Sequence, residues 1–359
     1  MLSELKIIKM KKFFLLVFSC LLFSLIVHSQ VDTMATLVVA DNQEAEIDYN
    51  NGVEAYKIKS YEKSIEHFTS AINKRNGFYQ AFYNRANILT ILLRYKEAIG
   101  DYSEVLRLQP GNSKAFFSRG MAYFFLKDYK NARDNFLTAF TLDAKIAKYP
   151  YYLGVANYQL GVYKIAETNF TEAIKIKNDY AFAYNDRGST RRMLKNYEGA
   201  ISDYNLAIKS DQSMAIAYNN LASVQRLTKN YKNAVSSYNS AIRLNPAYYV
   251  AFTNRGATYF EMDNFSDAAS DYEKALKLNP DYAPAYNNMG LLLFKQKKYD
   301  DALLMYNKAI ELNPDFAEAF GNRGSVKEML RNFEGACSDW KKAASLGIDN
   351  PDLFVKGCK

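Results

Sequence analysis

Apolar and polar positions along this chain follow a register that returns every 34 residues, marked by Gly52, Ala86, Gly120, Gly154, Gly188, Ala222, Gly256, Gly290 and Gly324. Twelve residues after each stands another small side chain, from Ser64 and Ala98 to Ala336. Four residues further comes a large aromatic, from Phe68 and Tyr102 to Trp340. Nine copies in unbroken register do not arise from composition alone, so the protein is read as a repeat array.

With the first small residue counted as position 8, nine units run from Ala45 to Asn350, at 45–78, 79–112, 113–146, 147–180, 181–214, 215–248, 249–282, 283–316 and 317–350. A unit of this length with small–small–aromatic spacing resembles the tetratricopeptide repeat, whose unit is two antiparallel helices. The resemblance implies an all-α, right-handed superhelical solenoid of nine helix-turn-helix repeats with a short C-terminal capping helix. In that frame positions 8, 20 and 27 are where helices A and B of one hairpin approach, so side chains larger than Ala would force them apart. The aromatic at position 24 fills the wedge left between the helix axes. Position 17, just after the turn, is Tyr or Phe in every repeat. Pro110, Pro246, Pro280 and Pro314 hold position 32, where they end one helix before the next, whereas repeats three to five have Ala144, Asn178 and Gln212. A single hairpin cannot bury its apolar face, so each unit depends on its neighbours.

Comparison of the repeats with one another exposes a charge pairing. Arg85, Arg187, Arg255 and Arg323 at position 7 accompany Asp101, Asp203, Asp271 and Asp339 at position 23, and repeats without the one lack the other. Arg119, opposite Asn135, is the exception. An Arg–Asp bridge between helices A and B of one hairpin is expected.

The amino end reads as a signal peptide over 1–29. Lys11 and Lys12 precede a largely apolar run, Phe13 to Val27, and Val27-His28-Ser29 offers a small residue for cleavage before Gln30. Met10 is an alternative start, and the run is short for a membrane span. A short lead, 30–44, precedes the array, and 351–359 reads as a truncated further helix A that caps it. Export is therefore expected, to the periplasm or beyond, with no stable membrane span after cleavage.

Cleavage changes the charge and cysteine accounts. It leaves 42 basic against 37 acidic residues, a net +5 instead of +8, with no clustered Lys/Arg stripe to track phosphates, so nucleic acid is not an expected partner. Two of three cysteines remain, Cys337 in the last helix B and Cys358 in the tail. In a compartment that permits disulfides they can bridge and fasten the cap, the other reading being two unpaired thiols. The ending, Ala336 to Ala344 with a late Cys-Lys, also resembles exported bacterial members of the family.

Catalytic chemistry has little to use. His67 is the one histidine after cleavage, there is no phosphate-cradling glycine loop, and no metal site or cofactor is implied. A binding scaffold is the expectation. The family resemblance implies that helix A lines a concave face, chiefly through positions 2, 5, 6, 9, 12 and 13. Position 6 carries Asn50, Asn84, Asn220, Asn254, Asn288 and Asn322, interrupted by Ser118, Tyr152 and Asp186. An asparagine amide offers donor and acceptor together, matching one peptide group, so a row of them can hold an extended polypeptide by its backbone. The row is similar to the asparagine ladder in the superhelical repeat region of O-linked N-acetylglucosamine transferase, a likeness limited to position 6, since that enzyme's catalytic domain has no counterpart here. A local role in capping or solubility is the other reading of these asparagines. Tyr49, Tyr83, Phe117 and Tyr151 at position 5, with Tyr56, Phe124 and Tyr158 at position 12, would make the amino-terminal half of the groove aromatic, or would pack between repeats. Arg192 and Arg226 at position 12, beside Arg191, would meet an acidic group or face solvent. Two rival functions remain open: a scaffold that binds folded partners by its convex or edge surface, and a cryptic hydrolase or transferase.

Overall fold

The computed structural model describes residues 43–348 and Cys358. The expected signal peptide and most of the lead and capping segments lie outside the described residues. Among the described residues every regular element is an α-helix, and the protein divides into two compact units at Leu194, in the turn of the fifth repeat.

The first unit contains α1 (Gln43–Lys57), α2 (Tyr61–Lys74), α3 (Tyr79–Ile91), α4 (Tyr95–Leu108), α5 (Ser113–Phe125), α6 (Tyr129–Leu142), α7 (Lys148–Gln159), α8 (Tyr163–Ile176) and α9 (Ala181–Met193). The second contains α10 (Tyr197–Ser210), α11 (Ala215–Leu227), α12 (Tyr231–Leu244), α13 (Tyr249–Glu261), α14 (Phe265–Leu278), α15 (Ala283–Lys295), α16 (Tyr299–Leu312), α17 (Ala317–Met329) and α18 (Phe333–Ser345). Odd-numbered helices are helix A of a repeat and even-numbered ones helix B. The all-α array of nine helix-turn-helix repeats follows the register of the sequence. Two starts depart from it. Helix α1 begins at Gln43, ahead of position 1, and α7 begins one residue late at Lys148, where Pro150 occupies the first turn.

The small and aromatic positions explain the hairpins. A Cβ on Gly120 would stand 2.7 Å from Cε1 of Phe136, so the ring occupies the space that any larger residue would need. Phe68, Phe136, Tyr204 and Tyr238 at position 24 are fully buried, as are the position-27 residues Ala71, Ala139, Ala207 and Ala241. In the first unit the core widens into an aromatic cluster of Phe117, Phe136, Tyr149, Tyr151, Tyr152 and Phe170. In the second, Tyr272 packs with Met289 and Leu292, and Tyr306 with Val326.

Every A–B turn passes through a left-handed residue at position 15. Gly161 fills it once (φ 74°), whereas Lys59, Leu93, Lys127, Lys195, Lys229, Asp263, Lys297 and Arg331 adopt it without being glycine. Asn or Asp at position 16 caps several B helices: Asn332 Oδ1 accepts from the Gly335 amide at 2.9 Å, and Asn196 Oδ1 from that of Gly199 at 3.0 Å.

Three of the four expected Arg–Asp bridges lie within a single unit, and these are bidentate. Arg85 donates from Nε and Nη2 to Asp101 at 2.7 and 2.7 Å, Arg255 to Asp271 at 2.8 and 2.6 Å, and Arg323 to Asp339 at 2.8 and 2.7 Å. Arg119 instead donates to the amide oxygen of Asn135 at 2.8 Å. These arginines also reach back to position 25 of the preceding repeat: Nη1 donates to Thr69 from Arg85, to Ser103 from Arg119, to Thr171 from Arg187 and to Asn307 from Arg323, at 2.9, 3.0, 3.1 and 2.8 Å. The arginine therefore ties two hairpins together as well as closing its own.

Candidate binding surface

Six of the side chains at position 6 join neighbouring A helices by meeting position 5 of the repeat before. In the first unit Asn84 Nδ2 donates to the Tyr49 hydroxyl at 2.9 Å, Ser118 Oγ and the Tyr83 hydroxyl lie 3.4 Å apart, and the Tyr151 hydroxyl donates to Asp186 Oδ2 at 2.8 Å. In the second, Asn254 Nδ2 donates to Asn219 Oδ1 and Asn322 Nδ2 to Asn287 Oδ1, both at 3.0 Å. Tyr152 meets Phe117 edge-on, with ring centroids 5.4 Å apart. Of the three interruptions, Ser118 and Asp186 keep a tyrosine partner like that of Asn84, whereas apolar contact with Phe117 accompanies Tyr152.

This geometry assigns one end of the amides to the protein. Asn84, Asn220, Asn254 and Asn288 are buried, while Asn50 and Asn322 are half-buried. Where the nitrogen of Asn84, Asn254 or Asn322 is bonded across repeats, the amide oxygen accepts no hydrogen bond from a described residue. Asn220 and Asn288 differ, since their oxygens face Asn219 Nδ2 and Asn287 Nδ2 at 3.4 and 3.5 Å. Such a row has a fixed orientation, because turning an amide over would place its oxygen against the oxygen of Asn219 or Asn287.

Asp186 is the charged member of the row. Burial pushes its carboxyl pKa up to about 6 from an ordinary 3.8, against the hydrogen bonds from Tyr151 and Asn185 that favour its ionised form. The carboxylate is therefore retained in a site that partly disfavours its charge.

The aromatic candidates are packing groups in large part. Tyr49 is fully buried and stacks on Phe78 at 5.1 Å. Tyr56, Phe124 and Tyr158 at position 12 lie against the turn aromatics Tyr61, Tyr129 and Tyr163 of their own repeats, at 6.0, 5.2 and 5.3 Å between centroids. Tyr83 is half-buried and packs edge-on against Tyr102.

The arginine candidates are buried too, so neither is the solvent-facing charge of the alternative reading. Arg226 donates from Nη1 to Glu261 Oε1 of the next repeat at 2.7 Å, and Arg192 is likewise inside. Arg191 donates to Glu167 at 2.8 Å. At the carboxyl end Cys337 and Cys358 are bridged, with Cα atoms 5.4 Å apart.

Position 5 supplies the partners of position 6, a role that the repeat register alone does not assign to it. The signal was present: Phe117 precedes Tyr152, while tyrosine or asparagine precedes most polar members of the row.

Two family profiles, each described as "Tetratricopeptide repeat", match the protein, one at residues 249–282 and 283–316, the other at 113–146 and 215–248. No curated protein matches it significantly. Among solved structures it is similar to YrrB, described as a TPR protein with an unusual peptide-binding site, at 23% identity and a TM-score of 0.46 over 52% of this protein and 96% of that one. It is also similar to a MamA RS-1 ArsTM double mutant, at 17% identity and a TM-score of 0.47 over 48% of this protein and 98% of that one. A MamA crystal structure matches at 25% identity and a TM-score of 0.38 over 44% of this protein and 93% of that one. Four units thus match the tetratricopeptide repeat by profile, and the other five share their register.

Proposed function

We propose that the protein is an exported, non-enzymatic scaffold that holds an extended polypeptide segment along the helix-A side of its repeats, in the assembly of an envelope or exported complex. One observation carries this reading. Cross-repeat hydrogen bonds orient the amides of Asn84, Asn254 and Asn322 while leaving their oxygens without a donor among the described residues. Backbone N–H groups of a bound segment are the complementary donors, available from almost any sequence.

The Cys337–Cys358 bridge supports export, since structural disulfides persist in oxidising compartments. No described helix is long and apolar enough to cross a membrane, and the described residues contain no group of three or more potential metal ligands.

The test is a photo-reactive residue at Asn322, half-buried on helix A, against a control at exposed Glu273 on helix B. Cross-links from Asn322 to a short stretch of one polypeptide support the groove. Cross-links confined to Glu273 replace it with a scaffold that binds by its outer surface.

A further inference from the structure

Each of the four A–B turns of repeats one to four, all in the first unit, lifts an aliphatic side chain into solvent. Ile58 is 77% exposed, Leu93 64%, Leu126 40% and Val162 37%. The first two are the most exposed large apolar side chains among the described residues. Leu93 also holds the left-handed conformation of its turn, at φ 61°, where the other turns have Lys, Asp, Arg or Gly. Scattered single apolar residues are ordinary on a surface, but these four fall on one edge. Tyr49 meets Asn84, Tyr83 meets Ser118 and Phe117 meets Tyr152 at the same level of successive A helices, so the turns that follow those helices stand side by side. Adjacent tips are about 10 Å apart, the spacing of packed helices.

Charge marks the same edge. Residues 57–63, 91–97, 125–131 and 159–165, which contain the four turns, carry eight Lys or Arg against three carboxylates. Glu62 and Glu97 flank Arg94 at 3.6 and 2.6 Å, and Asp128 caps α6. The exposed Lys59, Lys63, Lys96, Lys127 and Lys130 pair with no carboxylate among the described residues. The equivalent turns of the second unit, at 227–233, 261–267, 295–301 and 329–335, carry six against six. The basic excess is therefore a property of the first unit and not of this turn in general.

We propose that the A–B turn edge of repeats one to four docks the protein on an anionic lipid bilayer, with its lysines among the headgroup phosphates and its aliphatic tips below them. A basic surface is drawn to anionic lipid, and apolar groups gain by leaving water. A free phosphate would use the lysines and leave Ile58 and Leu93 in water. A folded acidic partner would need a pocket for each of four tips spread along the edge, whereas a fluid bilayer admits protruding side chains anywhere on its surface. This contact is made by the turns and not by the helix-A side, so it goes beyond the groove proposed above and stands or falls separately from it.

The experiment uses the disulfide-bonded mature protein from Gln30 on, so that the apolar run Phe13 to Val27 cannot itself enter a bilayer. Vesicles of phosphatidylglycerol and phosphatidylcholine in equal parts should sediment the protein, and pure phosphatidylcholine should leave it in solution. Lys59→Gln and Lys127→Gln should each lower the partition about fivefold. Ile58→Ser and Leu93→Asn should each lower it by roughly the same factor, the value of half-burying an aliphatic side chain. Asparagine suits a left-handed turn, so Leu93→Asn should melt no lower than the native protein, which separates lost docking from lost folding. Lys229→Gln, which removes the same charge from the second unit, should change nothing. Equal losses in Lys127→Gln and Lys229→Gln would reduce the binding to net charge and overturn the docking edge. Full binding by Ile58→Ser and Leu93→Asn would overturn the inserted tips, and the bilayer with them. Failure to sediment with anionic vesicles overturns the proposal outright, and retention on immobilised polyglutamate that Lys127→Gln weakens would then give the edge to an acidic polypeptide.

Discussion

Asn254 donates from Nδ2 to Asn219 Oδ1 at 3.0 Å, across 35 residues of sequence, and both side chains are buried. The asparagine row is therefore a structural seam between A helices before it is anything else. A bound segment can use only the end of each amide that this seam leaves over. Asn254→Ala leaves the Asn219 oxygen buried without its donor and should cost about 1–3 kcal/mol. Urea denaturation checks this. A double-mutant cycle with Asn219→Ala should recover part of the loss, and strict additivity would mean that the two amides do not interact.

Burial raises the Asp271 pKa despite the guanidinium of Arg255 opposite, so desolvation offsets much of what the pair contributes. Removing one partner still strands the other. Asp271→Met should cost about 3 kcal/mol, whereas Arg255→Met with Asp271→Met should be nearly neutral. Repeat eight already carries Met289 and Met305 at these positions. Asp271→Asn should be milder than Asp271→Met, because at the equivalent positions Arg119 keeps one of the two bonds, from Nε to the amide oxygen of Asn135. Chemical denaturation of the three variants gives the ranking.

Asp186 predicts a pH dependence with a definite sign. The folded protein keeps this proton up to about pH 6, whereas in the unfolded state the group titrates near 3.8. The protonated form's contribution is fully present below pH 3.8 and is lost as pH rises to about 6. The difference amounts to at most about 3 kcal/mol, less to the extent that the half-buried carboxylate meets water. Asp186→Asn should therefore be more stable than the native protein at pH 7, with the gap closing towards pH 4. A gap independent of pH would remove the ionisation from the account.

The turns make a counter-intuitive prediction. Gly161 holds a left-handed conformation that eight other turns adopt without glycine. Gly161→Ala should therefore cost no more than about 1 kcal/mol, the usual strain of such a residue offset by the lower entropy of the unfolded state. Lys297→Gly should change stability by less than about 0.5 kcal/mol, for the same two terms with opposite sign. Thermal melts of both variants decide it.

Reducing Cys337–Cys358 opens a loop spanning a sequence separation of 21 and should cost about 3 kcal/mol if the bridge acts through the entropy of the unfolded state. The loss should fall on the last repeats, so hydrogen exchange should rise first in α17 and α18. Uniform acceleration throughout the protein would contradict the nearest-neighbour character of a repeat array.

The sequence by itself determined the repeat register, the alternation of A and B helices, and the Arg–Asp closures. All three depend on residues within one unit: a small side chain at position 8, an aromatic at 24, and opposite charges at 7 and 23. Their spacing is set by one hairpin's geometry and recurs along the array, so it is visible without coordinates. Tertiary structure alone decided what the position-6 side chains do. Their partners lie one repeat away, at position 5, and an asparagine's type does not say which end of its amide is taken. Stacking of adjacent A helices removes water from that seam, bonds the nitrogen of Asn254 to Asn219, and strands the oxygen of Asn84. Packing likewise placed Arg226 inside, where its guanidinium reaches the exposed Glu261 of the next repeat. Desolvation and the direction of a hydrogen bond are properties of packed neighbours, and only the folded array brings those neighbours together.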